Sequence, residues 1–217
     1  MKNHKELSIS KHEQQLFKYA LLLSWFTIIY NFIEGIVSIF FGIEDETLTL
    51  FGFGADSFIE TISAFGILIM IYRIRMNPCS KRGQKEISAL RLTGYAFYVL
   101  CVILFISAVI NVINNSQPTT TFWGIIISTI SILSMIFLVY FKKRIGKKLN
   151  SQPILADANC NLVCVYMSVV LLVSSVLYEL FGIPYIDILG TLGVIYFSFK
   201  EGRESLAKAK GKECCCH

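Results

Sequence analysis

The chain has 217 residues, 54% of them apolar and only 16% charged, with a formal net charge of +5 and a mean hydropathy of +0.61. A soluble domain of this size carries about a quarter charged residues. The surplus of Ile, Leu, Val and Phe falls in long runs, so the composition speaks against a soluble globular domain and for an all-α membrane protein.

Residues 1–15 form a polar arm of mixed charge that contains His4 and His12, and no signal-peptide pattern precedes the first apolar run. Six apolar segments follow, at about 16–42, 48–72, 92–113, 122–141, 154–180 and 186–199. All but the last reach the roughly 20 residues that a helix needs to cross the hydrocarbon. The last can still span, with Tyr185 and Tyr196 as interfacial anchors and Lys200 snorkelling. The expected organisation is therefore a cytoplasmic arm at 1–15, a six-helix transmembrane domain at 16–203 and a short Cys-rich cytoplasmic tail at 204–217.

Lysine and arginine fall in the N-terminal arm, in the second connection (Arg73, Arg75, Lys81, Arg82, Lys85, Arg91), in the fourth (Lys142, Lys143, Arg144, Lys147, Lys148) and in the tail. With six spans these regions share one side, while the first opposite connection holds Glu44, Asp45 and Glu46. Both termini are thus expected in the cytoplasm. These basic runs set topology and meet anionic lipid. No compact domain presents them to nucleic acid.

Ionisable groups inside the apolar spans carry the functional signal, because burying a charge in the bilayer costs at least a few kcal/mol. Asp56 and Glu60 lie four apart in the second span, which puts both carboxylates on one helix face. Two like charges so close repel, and a cation or a shared proton removes the conflict. Cys160 and Cys164 repeat the spacing in the fifth span, with Asp157 one turn earlier. Thiolates favour soft or borderline ions and carboxylates harder ones. Packed together, the two helices could offer two oxygens and two sulfurs to a metal. Glu34 in the first span is a further intramembrane acid, for an ion or proton route or for a helix pair. Asp187 opens the sixth span, where an interfacial cap is the simpler reading. Cys101 has no polar neighbours and reads as packing.

These residues resemble the cation diffusion facilitator family. The likeness rests on six spans, on Asn31-x-x-Glu34-Gly35-x-x-Ser38-x-x-x-Gly42, on Asp56-Ser-x-x-Glu60, on Ala156-Asp157-Ala158 and on Asp187. It implies a metal site made by Asp56 and Glu60 with Cys160 and Cys164, Asp157 and Glu34 being supporting or alternate groups. It further implies efflux of a divalent ion from the cytoplasm by proton antiport, alternating access and a homodimer in the cell membrane. No resident cofactor is expected; the metal is the substrate. The Cys-x-x-x-Cys pair departs from the His/Asp pattern usual in that span and points to zinc, cadmium or mercury. The usual C-terminal cytoplasmic domain is expected to be absent. In the tail, Cys214, Cys215, Cys216 and His217 could capture a soft metal, against lipidation or an idle end. A membrane metal sensor without transport and an organic-cation transporter are the rival readings. No nucleophile, base and oxyanion arrangement suggests an enzyme.

Overall fold

The computed structural model describes residues 11–76, 84–114, 117–183 and 185–210. They form α1 (Lys11–Glu44), α2 (Leu48–Met76), α3 (Gln84–Asn114), α4 (Phe122–Lys148), α5 (Gln152–Phe181) and α6 (Ile186–Ala209), with no strand among the described residues. The expected helices are all present. Five of them, α1 to α5, are long and apolar enough to cross a membrane. The sixth is longer than its apolar run: its 24 residues reach about 36 Å at 1.5 Å per residue. It continues through residues 204–209, which the sequence reading assigned to the tail.

The bundle is inside-out in polarity. On α1, Ser24, Thr27, Asn31, Glu34 and Ser38 recur every three or four residues and are all buried, while Ile29, Ile33, Ile36 and Phe40 are exposed. That pattern is a polar stripe turned inward on an apolar helix. An outer face this apolar is a liability in water and is matched to hydrocarbon, where polar side chains serve as contacts between helices.

Helices pair as α1 with α2, α4 with α5 and α3 with α6, and α2 also touches α5 and α6. The α1–α2 pair is close because two glycines leave room for backbone. A Cβ at Gly42 would sit 2.6 Å from the Phe51 nitrogen, and one at Gly54 2.8 Å from the Ile39 nitrogen. The central apolar cluster joins α2 (Leu50, Phe53), α3 (Phe97, Leu100, Leu104), α5 (Met167, Leu171) and α6 (Val194).

Two helix N-termini are capped by carboxylates from neighbouring helices, which satisfies orphan N–H groups and opposes the helix dipole. Asp187 of α6 accepts from the Leu48 and Thr49 N–H groups at 3.0 and 3.2 Å, so the cap read from the sequence is real but closes α2. Glu179 of α5 accepts from the Thr121 N–H at 2.6 Å and the Thr120 hydroxyl at 2.7 Å, which holds the start of α4.

Candidate metal site

Asp56 and Glu60 both face inward from α2 and are buried. On α5, Cys164 is buried and Cys160 half-buried. The α2–α5 contact brings the Cys164 thiol into hydrogen-bond contact with Glu60 Oε2. The same oxygen accepts from Asn31 Nδ2 of α1 at 3.0 Å. Three helices therefore converge on one carboxylate.

Around that carboxylate, two acceptors are left without donors. Asp56 Oδ1 and Asn31 Oδ1 are buried and lack a hydrogen-bond partner among the described residues. A buried acceptor with no donor costs on the order of 1–3 kcal/mol, and either a cation or a proton removes that cost. The donor set of two carboxylates, an amide oxygen and a thiol suits a borderline metal ion. Asp56 lies one turn from Glu60 towards the start of α2, and Cys160 one turn from Cys164 towards the start of α5. Among the described residues, no three His, Cys, Asp or Glu side chains close on one point to hold an ion. Glu60 and Cys164 are in contact, and Asp56 and Cys160 extend the line on either side.

The supporting acids are engaged elsewhere. Glu34 accepts from the Tyr30 hydroxyl at 2.9 Å and the Ser57 hydroxyl at 3.1 Å. Asp157 forms an ion pair with Lys142 Nζ at 2.8 Å. That ammonium also donates to Thr27 Oγ1 at 2.8 Å and Asn161 Oδ1 at 3.3 Å. Cys160 meets α6: its sulfur accepts from Lys208 Nζ at 3.8 Å, and Glu201 of the same helix is buried. Cys101, on α3, packs with its thiol 3.5 Å from the Ile195 carbonyl. Cys214, Cys215, Cys216 and His217 lie outside the described residues.

Sequence reasoning did not single out Asn31, Lys142, Glu201 or Lys208 as site residues. A signal existed for Asn31, which lies one turn before Glu34 on the inward polar stripe of α1. For Lys142 none existed, because it opens a run of surface-type basic residues.

A family model described as the cation efflux transmembrane domain matches residues 21–210. The chain belongs to the cation efflux family. It is accordingly an integral, multi-pass membrane protein of a transporter family, with a metal cation as substrate. The match takes in all six described helices, α6 included, and so covers every residue placed along the α2–α5 line.

Proposed function

We propose that this cation efflux protein exports a soft or borderline divalent ion, zinc, cadmium or mercury, in exchange for protons. Asp56, Glu60, Cys160 and Cys164 are its ligands, in a chain whose termini both face the cytoplasm. The observation that carries this reading is the contact between Glu60 of α2 and the Cys164 thiol of α5. One helix presents oxygen and the other sulfur, and the hydrogen they share must leave when a metal takes both. Metal occupancy is thereby tied to proton release.

Asn31 holds Glu60 by its amide N–H and offers toward the ion its Oδ1, which has no partner among the described residues. Asp56 supplies the next oxygen towards the start of α2, and Cys160 the next sulfur towards the start of α5. Because oxygens and sulfurs ride on different helices, a small shift of α2 against α5 makes or breaks the set, which suits alternating access. The exposed apolar faces of the bundle leave room for a homodimer in the cell membrane. The thiols of Cys214, Cys215 and Cys216, with His217, would gather soft metal near the cytoplasmic mouth.

The test is ion flux into proteoliposomes with zinc, cadmium, mercury, cobalt and manganese, with and without a pH gradient. The expected result is uptake of the softer ions, faster with an opposing proton gradient. Metal binding without uptake would make the protein a sensor, and uptake of organic cations that ignores Cys160→Ser would make it a different transporter.

A further inference from the structure

Two lysines reach into the bundle where α5 begins and α6 ends. Lys142 has its three donors directed at Asp157, Thr27 and Asn161, so it ties α4 and α1 to α5. Lys208 is the less expected of the two. It stands in the last turn of α6, where a long basic side chain ordinarily runs its ammonium outward to water. Instead Lys208 is 8% exposed, and its ammonium is 3.8 Å from Cys160 Sγ. Glu204 holds it from the other side at 2.8 Å. Glu201, two turns earlier on α6, is buried as well. The outermost sulfur of the α2–α5 line is thus already engaged by a cation that belongs to the protein.

We propose that Lys208 is a tethered cation guarding Cys160, which an incoming metal ion must displace before that sulfur becomes a ligand, so that Lys208 sets the apparent affinity of the site. The inference rests on the reading of Cys160 as a ligand. A divalent ion at that sulfur and an ammonium beside it repel, and Glu201 and Glu204 give the released lysine somewhere to go along its own helix. A single positive charge held at the sulfur screens it from weakly bound monovalent ions and yields only to an ion that binds the sulfur itself.

The experiment titrates the full-length protein with cadmium, reading the ultraviolet thiolate-to-cadmium charge-transfer band, and measures the KM for cadmium uptake into proteoliposomes. Lys208→Met should lower both the titration midpoint and the KM about fivefold, as expected for removing one close, partly screened like charge. Lys208→Arg keeps the charge and should stay near wild type, and Lys210→Met, which removes a charge from the exposed end of α6, should change neither. Glu204→Gln, which removes the carboxylate that takes up the released lysine, should raise both readouts, and Lys208→Gln, a polar replacement without the charge, decides the matter if Lys208→Met fails to fold. Unchanged midpoint and KM in folded Lys208→Met, or an equal gain in Lys210→Met, overturns the proposal. If the gain persists when Cys160→Ser is added to Lys208→Met, the proposal falls through the ligand role of Cys160 and not through the lysine contact.

Discussion

Lys142 Nζ lies 2.8 Å from Asp157 Oδ2, and both side chains are almost wholly buried. A pair buried in this way is costly to form and more costly to break, because the surviving partner is left as an unpaired charge. Lys142→Met should therefore destabilise the protein by about 3–5 kcal/mol. The double variant Lys142→Met, Asp157→Leu should recover most of that loss. Thermal unfolding in detergent compares the two, and a double variant no better than the single one would show that the pair is not what holds α4 to α5.

Asn31 positions Glu60 through a 3.0 Å hydrogen bond. Partners that orient a metal ligand typically contribute about 10–100-fold in affinity, so Asn31→Leu should raise the KM for cadmium by that order while the protein still folds. Asn31→Asp, which retains the oxygen, should bind metal better than Asn31→Leu. Equal KM values for wild type and Asn31→Leu would remove Asn31 from the site.

Gly42 and Gly54 admit the close approach of α1 and α2. Overpacking a tight contact costs about 1–3 kcal/mol, and at Gly42 the clashing atoms are backbone, which cannot swing aside. Gly42→Val should lower the unfolding temperature and reduce uptake by moving Asn31 relative to Glu60. A variant as stable and active as wild type would place the helices further apart than described.

Asp187 caps α2 from another helix, so Asp187→Ala should cost about 0.5–2 kcal/mol, as loss of a cap does. Because the cap lies at the start of α2 and the ligands lie further along, the ranking of transported metals should stay the same. A changed ranking in the uptake panel would make Asp187 part of the ion path.

Much of this was legible in the residues alone. Long apolar runs separate cleanly from turns, so the helices were readable, and the i,i+4 spacing of Asp56 with Glu60 and of Cys160 with Cys164 put each pair on one face. Which helix lies against which was not readable, since helices apolar on most faces can pair in many ways, and the α3–α6 pairing depends on close fits such as a Cβ-free Gly94 beside Leu206. Lys142 was misleading for a physical reason: it reads as one of several surface cations in sequence, and only the packing of α4 on α5 buries it against Asp157. Lys208 and Glu201 were likewise hidden, because the apolar run of α6 ends before them while the helix itself does not.

The proposed transport requires Glu60 and Cys164 to act together on a soft metal ion across the α2–α5 contact. Cadmium uptake into proteoliposomes by Cys164→Ser, beside Cys101→Ser as the control thiol, tests it most directly. Replacing a thiolate with a hydroxyl removes the soft ligand, and cadmium uptake should fall by about 100-fold, the upper range even for losing a partner that only orients a metal ligand, while Cys101→Ser transports as wild type. Undiminished cadmium uptake in Cys164→Ser would mean that Cys164 is not a ligand of the transported ion.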